Sequence, residues 1–420
     1  MTAARRGLLE RIEADRDRLV GFLQAFTRID TANPPGDTRA GAAFIGDFLE
    51  RAGLPYRRIA PQETMPNLLA ATAFARPGRH LVLNGHIDVF PAGDRARWTH
   101  DPLSGAIVDG RLHGLGTVDM KCGTTASIFT YAYLSGLADE LRGRLTLTLV
   151  SDEETGGRWG SGYLVEHHRD EVLGDCVLNG EPSSPYTIRF GEKAMFWLKL
   201  SIRTPGGHSA YPHVSKSANR IAAALIRDLE SLEALVPATP EKVARALGGP
   251  DVRAGAERGL GAGAAEFLEK VTLNVGVMRG GVKVNMLPAA CEIEADVRLP
   301  VGVDRDDVRR EIERIVARYP EAAWEEGASQ RANATWSDPE HAMVGHLQEN
   351  VQAFRGFRPP AIISLGGTDC RFWRAAGTPA YVYGPSPAGM GAPNESVDIE
   401  EFLHVVRTHT LSAFDYLSRA

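Results

Sequence analysis

Leu145-Thr-Leu-Thr-Leu-Val150-Ser-Asp-Glu153-Glu154-Thr-Gly-Gly157 is an apolar run that ends abruptly in acids and glycines. Its length and the turn signal behind it predict a strand buried on both faces. Similar runs occur at Asn67-Leu-Leu-Ala-Ala-Thr72, Leu81-Val-Leu-Asn84 and Cys176-Val-Leu-Asn179. Stretches with helical character, residues 123–137 and 160–168, lie between several of them. Strands alternating with helices in this way predict an α/β domain around a mostly parallel sheet.

Upstream, Leu8, Leu9, Ile12, Leu19, Phe22 and Leu23 recur at helical spacing among charges, and Asn33-Pro-Pro-Gly-Asp37 closes that helix. A second helix runs through Phe44, Ile45 and Phe48. Downstream of Gly191 the pattern changes. Residues 196–204, 272–278 and 291–299 alternate with period two, as strands exposed on one face do. Helices over 218–235 and 304–318 and a final strand complete a split βαβ, ferredoxin-like α+β unit. The chain therefore reads as a discontinuous domain, 1–191 and 334–420, carrying an inserted domain at 192–333. The Gly/Ala-rich stretch 248–265 looks like an insertion within the latter. After Pro339 the α/β rhythm returns, with strands at 361–364 and 380–383 and a last helix over 399–417.

With 420 residues, 43% hydrophobic and 24% charged, the chain has a globular composition, which excludes a disordered or collagen-like protein. A net charge of −6 gives no basic stripe and argues against nucleic acid as a partner. Cys122, Cys176, Cys291 and Cys370 are scattered without a CxxC pair, so neither a disulfide framework nor a thiolate zinc site is expected. The charged N-terminus lacks a secretory h-region, and no run of about 18 apolar residues could span a membrane. A cytoplasmic protein is the expectation.

Acids and one imidazole stand at four strand ends or loops. Gly85-His86-Ile-Asp88 follows a strand at the carboxyl edge of the sheet, where open α/β folds place their sites. Positions two apart share a side of a strand, so Asp88 can fix the tautomer of His86 as metal-binding histidines require. Asp119 stands in Gly114-Leu-Gly-Thr-Val-Asp119 at a helix start, and Glu181 directly follows the strand 176–179. The three acids after Val150 are costly to bury unless something positive neutralises them. Singly these features admit plainer readings, a polar loop for His-x-Asp and a helix cap for Asp119. Together they offer His, Asp, Glu and Glu, a donor set suited to zinc, manganese or cobalt.

In these motifs and in their order along nearly the whole chain, the sequence resembles the M20 family of metallopeptidases and deacylases. The resemblance implies a catalytic domain with an inserted lid and dimerisation domain. It implies that His86 and Glu181 hold one divalent ion, that Glu154 binds a second, and that Asp119 bridges the two. Glu153 then corresponds to the general base that takes a proton from the attacking water, and Asp88 to the acid that orients His86. His208 in Pro205-Gly-Gly-His208-Ser-Ala matches a loop that reaches a neighbouring subunit to stabilise an oxyanion, so a homodimer is implied. Asn285, Arg298 and Arg371 match substrate-contacting positions, and the two guanidinium groups suit a substrate carboxylate. The implied activity is hydrolysis of an amide C–N bond in an N-acyl amino acid or peptide-like small molecule with a free carboxylate.

One departure stands out. The family supplies a last metal-binding histidine shortly before an Asn/Asp-Glu pair, but Gly384-Pro-Ser-Pro-Ala-Gly-Met-Gly-Ala-Pro-Asn394-Glu395 contains none. Gly391 stands four before Glu395, and Ala388 seven before it. His404 and His409 fall in the terminal helix, where a solvated face is expected, and His113 is a distant substitute. Three readings stay open. In the first the site holds one ion, zinc foremost. In the second, water, substrate or an unforeseen side chain completes a second ion's shell. In the third the protein binds small molecules without turnover. The first admits a hydrolase with an altered site acting on an aryl amine or a carbamoyl group.

Overall fold

A computed structural model describes residues 2–327 and 332–418. The main sheet has the order Tyr56–Ile59, Asn67–Ala73, Arg142–Val150, Arg76–His86, Cys176–Asn179, Ala380–Val382, Ile188–Glu192, Thr335–Trp336, with Ala361–Ser364 paired to Ile188–Glu192. Its centre, from Arg142–Val150 to Ala380–Val382, is parallel, and antiparallel strands flank it. Leu145 to Val150 are buried without exception, as expected for a strand covered on both faces. Each such leucine or valine contributes roughly 1.5–3 kcal/mol, and this apolar floor offsets the cost of the acids placed at its end.

The register aligns the strand ends. His86 lies opposite Val150, and Asn179 lies opposite both Asn84 and Val382. Loops leaving these strands therefore emerge side by side at one edge of the sheet.

The inserted unit has its own four-stranded antiparallel sheet, ordered Thr272–Gly280, Ala290–Leu299, Ala194–Arg203, Ala322–Glu326. Phe196, Leu198, Leu200 and Ile202 face a separate core with the helices Ala218–Leu229 and Arg305–Val316. Trp197, Lys199 and Arg203 on the alternate positions are exposed, which is the period-two pattern of the sequence made physical.

Four expectations change. The opening segment is two helices, Ala3–Ala14 and Arg16–Thr27, broken at Asp15. The helix begun at Ala218 ends at Leu229, and a 3-10 turn, Glu230–Ala234, follows it. The Gly/Ala-rich stretch does not pack in the inserted unit. Its helix Val252–Leu260, like the helix Glu241–Leu247 just before it, sends apolar side chains (Val252 and Ala256, Val243 and Leu247) into the core of the first domain. Gly255 approaches Pro360 so closely that a Cβ there would lie 2.4 Å from the ring, so the glycine permits the docking. Finally, the helix Ile399–Ser418 has no solvated face at its histidines. His404 is 3% and His409 0% exposed, because the helix packs against Cys122–Ser135 and Ala342–Arg355.

Candidate metal centre

His86 ends its strand almost fully buried, with Nδ1 2.7 Å from the main-chain carbonyl of Asp88. A proton on Nδ1 satisfies that carbonyl and leaves Nε2 as the free donor atom. Nε2 lies 3.2 Å from Asp119 Oδ1 and 3.4 Å from Glu181 Oε1. One ligand atom from each of these residues falls within 4.8 Å of the others, the geometry of a group that can share an ion.

Each acid is positioned by its own local structure. The Asp119 loop is tied down by Glu395, whose carboxylate accepts from the backbone N–H of Gly116, Val118 and Asp119 at 3.2, 2.7 and 3.1 Å. Two residues on, the buried Lys121 donates to the carbonyls of Phe26 and Ile29. The Glu181 amide donates to Asn179 Oδ1, and Asn179 Nδ2 donates to Asn84 Oδ1 on the adjacent strand. The Asp119 and Glu181 loops meet where the backbone of Gly123 lies against that of Gly180. A Cβ on Gly123 would stand 2.0 Å from the Gly180 carbonyl oxygen, so only glycine allows the approach.

The electrostatics call for a cation. Burial, then Asp119, raises Glu154 and Glu181 well above the usual carboxylate range. Burial by itself disfavours the imidazolium, yet Glu181 and Asp119 more than reverse this and hold the His86 pKa well above its ordinary value. Among the described residues nothing hydrogen-bonds the buried Glu154 Oε1. An imidazole nitrogen and two carboxylates, with neighbouring acids left over, fit a divalent ion with an open position.

Asp88 meets His86 Nδ1 chiefly through its main chain. Its carboxylate is 3.6 Å from Nδ1 and also accepts from Asn33 Nδ2 at 2.9 Å and from the amides of Glu154 and Glu153 at 3.1 and 3.3 Å. The carbonyl of Asp88 orients the imidazole, and its side chain shapes the Glu153–Glu154 turn. Burial pushes the Asp88 carboxyl up to about 6. Arg371 donates to Glu153 Oε1 at 2.8 Å, so one arm of its guanidinium is committed to that acid.

His208, Asn285 and Arg298 lie on the inserted unit. Gly207–His208 pairs with Met286–Leu287, and the Ser209 amide donates to the Asn285 carbonyl, so the first two are neighbours. His208 is exposed, while Arg298 donates to Asp296 at 2.8 Å. His113 lies beside His100, ring centroids 4.8 Å apart and the rings tilted at 57°. His404 Nε2 is 2.7 Å from Tyr383 Oη, and His409 Nε2 donates to the Tyr383 carbonyl.

Several functional neighbours escaped the sequence reading: Asn33, Glu395, Lys121 and Arg189. The guanidinium of Arg189 is buried, donates to Ser364 Oγ, and is lowered to about 10 by burial despite the nearby Glu181 and Glu192. Glu395 alone had a signal, its place beside Asn394 in the late loop.

Comparison with known proteins identifies the family. A family model described as peptidase family M20/M25/M40 matches residues 82–414. A succinyl-diaminopimelate desuccinylase of Methylorubrum extorquens is 29% identical over 402 residues, 91% of this chain and 94% of that protein. A desuccinylase of Cereibacter sphaeroides is 28% identical over 367 residues, covering 84% and 87%. Among solved structures, the M20 metallo-carboxypeptidase Sso-CP2 of Sulfolobus solfataricus has a TM-score of 0.78 at 18% identity, over 96% and 98% of the two chains. The YXEP protein of Bacillus subtilis, a dinuclear metal-binding M20 peptidase, has 0.63 at 16%, over 96% and 99%. A match of that extent, with acids and an imidazole converging at the aligned strand ends, makes the chain a metallohydrolase belonging to peptidase family M20/M25/M40.

Proposed function

We propose that the protein hydrolyses the amide C–N bond of an N-acyl amino acid or peptide-like small molecule bearing a free carboxylate. The observation that carries this reading is the convergence of His86, Asp119 and Glu181 beside the Glu153–Glu154 turn. A divalent ion held there, zinc foremost and manganese or cobalt as alternatives, supplies Lewis acidity toward the carbonyl and a more acidic water. Glu153, fixed by Arg371, takes a proton from water as its oxygen adds to the carbonyl carbon. As the C–N bond breaks, the same carboxylic acid returns the proton to the leaving nitrogen. His208, delivered from a second copy in a homodimer, donates to the developing oxyanion. Asn285, Arg298 and Arg371 contact the substrate, the guanidinium groups suiting its carboxylate. The desuccinylase relatives support an acyl-amino-acid substrate that is itself acidic. No helix among the described residues is long and apolar enough to cross a membrane.

The test is a panel of N-succinyl, N-acetyl and dipeptide substrates assayed before and after chelation. Chelator-sensitive release of a free amino acid is expected. The late loop without histidine favours one second reading, an altered centre acting on an aryl amine or carbamoyl group. Turnover of such compounds, with none on the acyl-amino-acid panel, would select it.

A further inference from the structure

We propose that the centre holds one divalent ion per chain, bound by His86, Asp119 and Glu181, and that Gly391 is the place where a second ion's ligand is lacking. This rests on the metallohydrolase reading of the site and departs from the dinuclear relative in Bacillus subtilis. The two halves of the acid cluster are unequal. One has an imidazole and two carboxylates with donor atoms in mutual reach. The other has Glu154, with Oε1 unpartnered, and a share of Asp119.

Among the described residues the one group of three or more His, Cys, Asp and Glu side chains with ligand atoms in mutual reach is His86, Asp119 and Glu181, with no second imidazole in it. His404 Nε2 and His409 Nε2 engage Tyr383, and His208 is exposed on the inserted unit. Two carboxylate oxygens with water completing the shell hold a borderline ion far more weakly than a set containing an imidazole.

Gly391 lies in the late loop that also carries Glu395, whose carboxylate grips the amide of Asp119. The late loop is thus tied to the centre through the residue four positions on. The Gly391 backbone is left-handed, with φ +65°, a conformation histidine adopts more readily than most residues. A Cβ there would meet the Phe90 ring at 3.5 Å, ordinary van der Waals contact. The position therefore has room for a side chain.

The experiment uses the full chain, stripped by chelation, reloaded with excess Zn²⁺ and desalted. Zinc per chain is then counted by mass spectrometry and by calorimetric titration. One equivalent is expected for the native protein, two for Gly391→His and none for His86→Ala. Two tight equivalents in the native protein would overturn the proposal, as would a folded Gly391→His that still retains one. If Gly391→His does not fold, the native count decides alone. Turnover is measured separately: two ions with turnover defeat this inference only, and one ion without turnover defeats only the hydrolase reading. No retained ion defeats both.

Discussion

The carboxylate of Asp88 is surrounded by donors: Asn33 Nδ2, the amides of Glu153 and Glu154, and the nearby His86 ring. An amide side chain cannot replace it, because either orientation points an NH2 at a donor. Asp88→Asn should therefore cost on the order of 1–3 kcal/mol and lower turnover roughly 10- to 100-fold, while zinc is retained. Kinetics and zinc content check this, and a loss below twofold would show that the turn holds without Asp88. Glu153→Gln removes the proton acceptor and leaves the ion-sharing group intact. Turnover should fall by about 10²–10⁴ with substrate affinity preserved in calorimetry, and an active Gln variant would remove Glu153 as the base. The ligand candidates were legible in the sequence because each acid or imidazole stands directly after an apolar run or in a glycine-flanked turn. The use made of Asp88 was not, since backbone amides that converge from a turn 65 residues away leave no local signal.

At the level of elements, the Asp119 loop depends on a carboxylate from the far end of the chain. Burial pushes Glu395 up to about 7, although the amides of Val118 and Asp119 pull it down. Glu395→Ala would orphan the buried amides of Gly116, Val118 and Asp119. The expected cost is about 3 kcal/mol or more, with weaker zinc retention. Urea unfolding of the metal-free protein reads the first effect and zinc titration the second; unchanged values in both would sink the assignment. The terminal helix makes a different prediction. Its histidines read from sequence as a solvated face, yet they are buried, and neighbouring polar groups pair inside, as in Thr130–Thr410 and Asn350–Ser412. Burial lowers His409 to about 4 from an ordinary 6.5, so between those values the unfolded chain binds a proton that the folded chain does not. The stability is present above pH 6.5 and is lost as pH falls toward 4. By pH 5 the loss should be about 2 kcal/mol. His409→Gln should show that much less acid sensitivity in urea unfolding at pH 7.5 and 5, and equal sensitivity in both proteins would contradict it.

On the scale of the molecule, the separate core of the inserted unit was legible as a change of hydrophobic period, from continuous apolar runs to alternation, at the start of that unit. The return of the Gly/Ala-rich stretch to the first core was not, because a short amphipathic helix does not encode which apolar surface it will cover. The same geometry bears on assembly. His208 is exposed on the inserted unit, paired through its strand to Met286–Leu287 at the end of a hairpin whose Val282 and Val284 are 92% and 98% exposed. The strand Thr272–Gly280 leading into that hairpin is an edge of its sheet. An unpaired sheet edge followed by two bare valines in its connecting loop is a pairing hazard unless a partner covers it, and a second copy that did so would bring its own His208 loop with it. Light scattering should therefore find a dimer. Val282→Asp combined with Val284→Asp should yield a monomer with unchanged zinc content and turnover lowered by about 10²–10³, the range for losing an oxyanion donor. His208→Ala in the intact dimer should reproduce that loss without dissociation. A fully active monomer would exclude delivery of His208 from a partner and return the oxyanion to groups within one chain.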